Sequence, residues 1–139
     1  MLSQLFKLNI NKIGFEDMKT GIDTTSNKKT LIINTLSSTE QGCLIKGTTP
    51  IEREESLIND LLDKCEYKTT IIVYGKNGCD ETAEKKYQQL VKLGFFNVSI
   101  YVGGLFEWLL LQDIYGKTEF PTTSQELDIL KYKPRRKLE

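Results

Sequence analysis

The residues best suited to chemistry form one short loop, residues 75–80, between a β-rich apolar run and an amphipathic segment. Its two glycines allow a tight turn that points several backbone N–H groups inward, and the start of the next helix adds partial positive charge. A lysine adds a full charge, so the loop predicts a cradle for an anion such as phosphate, sulfate, thiolate or persulfide. The candidate site is the whole loop: Gly75, Lys76, Asn77, Gly78, Cys79 and Asp80.

Cys79 is the candidate nucleophile, because a cysteine near a helix start is placed where the thiolate is favoured. Its side chain could equally point away from the cradle, towards solvent or the helix. A simpler interpretation of the loop also stays open, in which it only joins a strand to a helix and Asp80 acts as a helix cap. The spacing is not that of a Walker A loop, because no Gly-Lys-Ser/Thr sequence ends it.

The composition excludes several kinds of site. The 139 residues include no histidine, which removes Ser-His-Asp and Cys-His catalysis and any zinc site with an imidazole ligand. Cys43, Cys65 and Cys79 form no Cys-x-x-Cys pair, so neither a zinc knuckle nor a thioredoxin-type redox motif is present. Cys65 follows the apolar spacing of a helix, which predicts a packing role in the core. No pattern calls for a metal or another cofactor.

Charge and hydropathy narrow the choice of partner. The chain has 19 basic and 19 acidic residues, so no global field attracts nucleic acid or an anionic membrane. No apolar run approaches the roughly 20 residues that span a bilayer. A small anion or a protein is therefore the expected partner. The odd number of cysteines and the lack of a signal peptide predict a reducing, cytoplasmic setting.

Alternating strands and helices must position the loop. β-rich runs predict strands at 30–36, 69–74 and 98–102, with a further short strand at 43–47. Helical spacing predicts helices near 15–22, 50–65, 81–93 and 105–115, and a capping box at Thr123 and Glu126 predicts a last short helix. Thr49, Pro50 and Glu52 predict a capped helix start. This alternation is typical of a parallel sheet covered on both faces, with ligands at the carboxyl ends of its strands.

The domain organisation is predicted to be simple. Residues 1–130 are expected to form a single domain, and residues 131–139 a basic, flexible tail. The tail is interpreted as solvated, with contact to nucleic acid or to an acidic protein surface as the alternative. Trp108 is expected to belong to the core, with a place in a ligand pocket as the alternative.

From residue 70 to Trp108 the sequence resembles the second half of a rhodanese domain. That family typically shows Tyr-Cys-Arg-x-Gly-x-Arg, a helix, Leu-Gly-x-x-x-Val, a strand and Gly-Gly-x-x-x-Trp. The matching segments are Tyr-Gly-Lys-Asn-Gly-Cys-Asp at 74–80, Leu-Gly-Phe-Phe-Asn-Val at 93–98 and Gly-Gly-x-x-x-Trp at 103–108. Weaker agreement at 31–34 and 44–48 extends the resemblance over residues 12–116. It implies a rhodanese-like α/β three-layer sandwich, with a central, mostly parallel sheet and helices on both faces.

The departures from the family pattern fall at its catalytic positions. The family cysteine, which carries the persulfide, aligns with Gly75, and the two loop arginines align with Lys76 and Asp80. Asn34 stands in place of a strand-end aspartate and Leu44 in place of a histidine. An aspartate in place of an arginine works against an anionic persulfide. The resemblance therefore implies a catalytically degenerate domain that acts as an anion- or protein-binding or regulatory module.

Other functional interpretations remain beside this one. A sulfurtransferase could use Cys79 as a shifted nucleophile that accepts sulfane sulfur from thiosulfate or a persulfide, with Lys76 and the loop amides stabilising the charge. A phosphatase of the related cell-cycle type would need Cys-x-x-x-x-x-Arg, but Lys85 stands where the guanidinium fork is required. A purely structural domain, whose exposed surfaces matter and whose loop does not, is the third interpretation.

Overall fold

The computed structural model describes residues 10–27 and 29–138, so the first nine residues of the expected domain and the last residue of the expected tail lie outside it. Its sheet has the strand order β1-β4-β3-β2, all parallel. The strands are β1 (Lys12–Ile13), β2 (Thr30–Asn34), β3 (Thr70–Tyr74) and β4 (Val98–Tyr101). The helices are α1 (Phe15–Thr25), α2 (Ile51–Asp63), α3 (Thr82–Lys92) and α4 (Gly104–Tyr115). Single 3₁₀ turns span Ser38–Glu40 and Ile129–Tyr132.

Side chains alternate along the strands and feed two separate cores, one on each face of the sheet. On one face α1 and α4 pack against the sheet, and the buried residues include Met18, Ile32, Ile72, Tyr74, Tyr101, Leu105 and Trp108. On the other face α2 and α3 pack, and the buried residues include Ile33, Ile58, Ile71, Val73, Tyr87, Leu90 and Ile100. Burial on both faces explains the continuous apolar runs in the strands. The predicted three-layer α/β architecture is confirmed, as is the place of Trp108 in the core.

The strand register brings three loops to one edge of the sheet. Asn34 pairs with Tyr74, and Tyr74 pairs with Tyr101, so β2, β3 and β4 end side by side. The loop at 75–80 therefore starts at the carboxyl edge, as predicted. Its neighbours are the segment that follows β2 and the turn that precedes α4.

Three local expectations were wrong, two because tertiary contacts take the groups concerned and one because of the local backbone conformation. Residues 43–47 form only an isolated bridge at Ile45, whose N–H donates to the Tyr74 hydroxyl. Thr49 does not cap α2, because Pro50 is the N-cap residue and no side-chain cap hydrogen bond forms. The Thr49 N–H, which a capping box would pair with Glu52, donates to Ile32 O at the sheet edge. Cys65 is exposed, because it follows the end of α2 in a left-handed conformation (φ 54°) that turns it out of the core.

The C-terminal region also differs from expectation. No capped helix follows Thr123, because its N–H and hydroxyl bond the backbone of Leu44, and the chain forms only the turn Ile129–Tyr132. Tyr132 is 1% exposed, so core packing continues two residues into the segment expected to be a flexible tail. Beyond it, residues 133–138 are mostly exposed. No helix in the described parts of the chain is long and apolar enough to cross a membrane.

Candidate functional site

The amino end of α4 fixes the backbone of the loop. Leu105 N–H donates to Gly75 O at 3.0 Å, and Phe106 N–H donates to Lys76 O at 2.9 Å. Gly104 permits this approach, because it has φ +66° and a Cβ there would lie 2.7 Å from Gly75 O. The first two loop carbonyls are therefore held by the helix, and the loop has little freedom to change shape.

The Asp80 carboxylate occupies the inner side of the loop. Its Oδ2 accepts the Lys76 N–H at 3.1 Å, and its Oδ1 accepts the Thr82 N–H at 3.0 Å and the Thr82 hydroxyl at 2.8 Å. The contact with Thr82 is an Asx turn that starts α3, which agrees with the simpler interpretation of Asp80 as a helix cap. The contact with Lys76 goes further, because it places a carboxylate against a loop amide expected to face an external anion.

Gly75 lies directly beside this carboxylate. A Cβ built on Gly75 would stand 3.0 Å from Asp80 Oδ2 and 3.1 Å from Thr35 Oγ1. Thr35 in turn shares a hydrogen bond of 2.7 Å with the hydroxyl of Thr82. A side chain at position 75 would therefore contact the polar side chains of Asp80 and Thr35.

Lys76 is paired with a residue from the neighbouring segment. Its Nζ lies 3.1 Å from Glu40 Oε2, in the 3₁₀ turn after β2. Burial alone would raise the pKa of Glu40, but the hydrogen bonds from Lys76 and Ser37 outweigh it, so the pKa of this carboxyl is lowered. Glu40 is thus held ionised against the one cation of the loop.

Asn77 connects the loop to the C-terminal region. Its Oδ1 accepts the Cys79 N–H at 2.9 Å, and its Nδ2 donates to Tyr132 O at 2.9 Å in a buried contact. The bond to Tyr132 spans 55 residues of sequence. Asn77, one of the predicted site residues, is therefore a clamp between the loop and the end of the packed chain.

Cys79, the candidate nucleophile, is exposed and lines an open groove of about 580 Å³ in front of the loop. The groove is bounded by residues 35–40, by the loop with the start of α3, and by Lys133, Arg135 and Lys137. Gly78, also exposed, completes the loop beside Cys79. Cys79 and Asp80 both belong to the lining of this groove, and the carboxylate of Asp80 also accepts the Lys76 N–H.

Two further positions from the family alignment carry no ionisable group. Asn34 is buried, and its amide exchanges hydrogen bonds with the side chain of Gln41. Leu44 is 6% exposed and belongs to the core. Sequence reasoning missed Thr35, Glu40 and Tyr132 as neighbours of the loop. The spacing Asp80-x-Thr82, typical of an Asx turn, could have indicated the contact between Asp80 and Thr82, whereas no local pattern indicates the contacts of Thr35, Glu40 and Tyr132.

No set of side chains in the described residues gathers the three or more carboxylates or thiolates that would hold a metal ion. The groove instead combines a thiol, an amide and separated charges of both signs. Chemically, this arrangement can bind charged groups of a ligand at its mouth.

Solved structures share the fold. A crystal structure of the Alr3790 protein from Anabaena sp. has a TM-score of 0.57 at 24% identity, covering 86% of this chain and 97% of that chain. The solution NMR structure of the rhodanese-like domain from the same Anabaena protein has a TM-score of 0.56 at 24% identity, covering 92% and 87%. Ygr203w, a yeast protein tyrosine phosphatase of the rhodanese family, has a TM-score of 0.56 at 16% identity, covering 87% and 96%. At these identities the likeness shows the fold alone.

The sequence itself matches a family model. No curated protein sequence matches the chain. The model of the rhodanese-like domain, in contrast, matches residues 16–111, which is more than half of the chain and includes the loop, its flanking strand and α3. The chain therefore belongs to the rhodanese-like domain family.

Proposed function

We propose that this chain is a catalytically degenerate rhodanese-like domain that acts as a protein-binding or regulatory module, without sulfur transfer of its own. The observation that carries the proposal is the carboxylate of Asp80, which accepts the Lys76 N–H and lies 3.0 Å from the Cβ position of Gly75. In the family pattern, the residue aligned with Gly75 is the persulfide-bearing cysteine. In this chain the corresponding space is shared with a fixed negative charge.

The electrostatics of the loop support a non-catalytic role. A persulfide or thiosulfate is anionic and needs inward N–H groups and free cations. The cation of Lys76 is already paired with Glu40, and the residue aligned with the second family arginine is Asp80. A like charge a few ångströms away opposes a second anion by an energy of order 1 kcal/mol or more, depending on the local dielectric.

The same contacts support one of the two kinds of binding module that the sequence left open. A small anion in the cradle would have to displace the carboxylate of Asp80, which already accepts three hydrogen bonds. A protein partner would instead contact the outer groove and the exposed surfaces around it, and the cradle could stay as it is. Binding of a protein is therefore the form of the proposal that the geometry favours.

A sulfurtransferase that uses Cys79 is the second candidate, favoured by the exposure of this thiol on the groove. In that reaction the Cys79 thiolate would attack the sulfane sulfur of thiosulfate, forming a persulfide and releasing sulfite. The yeast relative named as a phosphatase suggests a third chemistry, but Lys85 cannot supply the bidentate contact to phosphate that an arginine makes. We also retain the expectation of a reducing, cytoplasmic setting, which rests on the sequence.

Intact-mass spectrometry after incubation with thiosulfate tests the proposal. We expect no gain of a sulfur atom by the folded protein, under conditions that load an active rhodanese. Cys79→Ser and Cys65→Ser are matched variants, because both thiols are exposed. A sulfur adduct that cyanide removes, and that Cys79→Ser abolishes while Cys65→Ser does not, would overturn the proposal in favour of the sulfurtransferase.

A further inference from the structure

The segment after Tyr132 is anchored beside the loop. Tyr132 is 1% exposed, and its carbonyl accepts the hydrogen bond from Asn77 Nδ2 at 2.9 Å. Lys133 N–H donates to Leu130 O at 3.1 Å, and its backbone then becomes extended (φ −62°, ψ 155°). The root of the segment is therefore fixed, and the residues that follow start from a defined point at the rim of the groove.

The basic residues of this segment alternate between two sides. Lys133, Arg135 and Lys137 line the groove, whereas Pro134 and Arg136 do not. In an extended chain alternate residues share a face and are about 6–7 Å apart, and the fixed φ of proline supports such a conformation. Arg136 does not line the groove, and its Nε donates a hydrogen bond to Leu138 O at 2.7 Å. One wall of the groove therefore presents three cations in a row, here called the basic wall (Lys133, Arg135 and Lys137).

The basic wall has no acidic partner within the described residues. The ion pairs found there involve Lys19, Lys76, Lys86 and Lys131. Of the acidic residues in the groove, Glu40 is paired with Lys76, and Asp80 accepts hydrogen bonds within the loop. Glu81 is the remaining carboxylate in the lining. The groove lining thus combines the three cations of the basic wall with the carboxylates of Asp80 and Glu81.

We propose that this groove binds an extended acidic segment of a partner protein, with aspartate or glutamate at alternate positions facing the basic wall. The inference deepens the proposed non-catalytic function by naming the partner chemistry of the same site. A volume of about 580 Å³ is larger than one phosphate or sulfate ion needs, and the cations are spread along a wall and do not form a compact nest. Asp80 and Glu81 disfavour a ligand that is negative on every side, such as nucleic acid.

Fluorescence anisotropy with the full chain and a labelled peptide tests the inference. The probe is a seven-residue peptide with glutamate at alternate positions and serine between them, titrated at low salt. Arg135→Gln and Arg136→Gln are matched variants, because the two residues are adjacent and equally charged but only Arg135 lines the groove. We expect Arg135→Gln to raise the Kd about threefold to fivefold and Arg136→Gln to change it less than about twofold. Added salt should weaken binding to the unmodified chain.

Several outcomes would overturn the inference. Equal losses of affinity in the two variants would indicate unspecific attraction to a basic tail. If a peptide with its glutamates in one block bound as tightly as the alternating peptide, the groove would not select acidic residues at alternate positions. Displacement of the peptide by inorganic phosphate at similar concentration would indicate a small-anion site. Self-association that Arg135→Gln abolishes would assign the groove to a second copy of the chain. None of these results depends on sulfur loading at Cys79, so failure of the docking site and failure of the non-catalytic function remain distinguishable.

Discussion

Asp80 Oδ2 lies 3.0 Å from the position that a Cβ on Gly75 would occupy. The same carboxylate accepts the Lys76 N–H at 3.1 Å. The two positions are therefore coupled: the missing side chain at one leaves room for the charge at the other. Under the proposed function, sulfur chemistry at position 75 would require changes at both.

The variant Gly75→Cys should remain almost inactive on its own. The new thiol would lie next to a fixed negative charge, which raises the pKa of a thiol and opposes an anionic persulfide. In the double variant Gly75→Cys with Asp80→Asn, the amide keeps the size of the carboxylate and removes its charge. We expect the double variant to transfer sulfur from thiosulfate to cyanide at least about ten times faster than the single one, since about 1.4 kcal/mol of repulsion suffices for that factor.

Thiocyanate formation measures this difference, and urea unfolding of both variants controls for damage to the loop. If the single and the double variant have the same rate while both are folded, the charge of Asp80 does not suppress the chemistry. The proposed reason for degeneracy would then be incorrect.

The clamp made by Asn77 should be measurable as stability. In Asn77→Ala the Cys79 N–H and the buried carbonyl of Tyr132 both lose their partner. A buried polar group left unpaired costs about 1–3 kcal/mol, so we expect a loss of free energy of unfolding in that range by urea denaturation. Asn97→Ala is the matched control, because its side chain makes one exposed hydrogen bond, to Thr70, and should cost less than about 1 kcal/mol. Similar losses for both would show that the clamp adds nothing.

The layers of the fold could be predicted from the sequence because they depend on the periodic spacing of apolar residues. The runs that became β2, β3 and β4 are apolar on both faces, and α3 follows helical spacing up to the glycine at 94, whose φ of +115° ends it. The errors at 43–47 and at Thr49 arose where distant groups, the Tyr74 hydroxyl and Ile32 O, took the local backbone bonds. The secondary-structure propensity of a local segment carries no information about such long-range contacts.

The position of the candidate site in the fold could be predicted from the sequence, but the contacts of its side chains could not. The motif located the loop at the carboxyl edge of β3, and the aspartate aligned with a family arginine predicts a loss of activity. That the carboxylate turns inward to Lys76 N–H, and that Glu40 pairs with the Lys76 side chain, depends on three-dimensional contacts over 4 and 36 residues of sequence. The basic character of residues 131–139 was visible in the sequence, but their place at the groove was not, because it requires Tyr132 to be packed beside Asn77.

Gly104 should tolerate no side chain. A Cβ at this position would lie 2.7 Å from Gly75 O and 2.9 Å from Asn77 N, both backbone atoms of the loop, and φ is +66°. We expect Gly104→Ala to lower the free energy of unfolding by about 2–4 kcal/mol, from overpacking together with backbone strain. Gly116→Ala separates the two causes, because φ is +102° there but nothing lies within 4 Å of the added carbon. It should cost only about 1 kcal/mol. Equal losses of free energy of unfolding in the two variants would mean that the loop backbone moves aside for the added methyl group at little cost.

Stability should fall steeply at alkaline pH. Burial raises the pKa of Tyr74 and of Tyr101 well above the unfolded value of about 10, and in Tyr101 the hydrogen bond of 2.7 Å to Glu107 adds to the rise. Above pH 10 the folded state keeps protons that the unfolded state releases. The free energy of unfolding is therefore unaffected by these groups below about pH 10, and each lowers it by up to about 1.4 kcal/mol per pH unit above that.

Urea denaturation at a series of pH values from 8 to 11.5 measures the slope, and the difference in tyrosinate absorbance between the unmodified chain and Tyr101→Phe should appear only together with unfolding. Tyr101→Phe removes one of the tyrosines with a raised pKa, so its stability should fall less steeply above pH 10 than that of the unmodified chain. At pH 8 the same variant should be destabilised, because Glu107 loses its hydrogen-bond donor. If tyrosinate formed at full amplitude in the folded protein near pH 10, neither hydroxyl would be protected by the core, and the account of the linkage would be wrong.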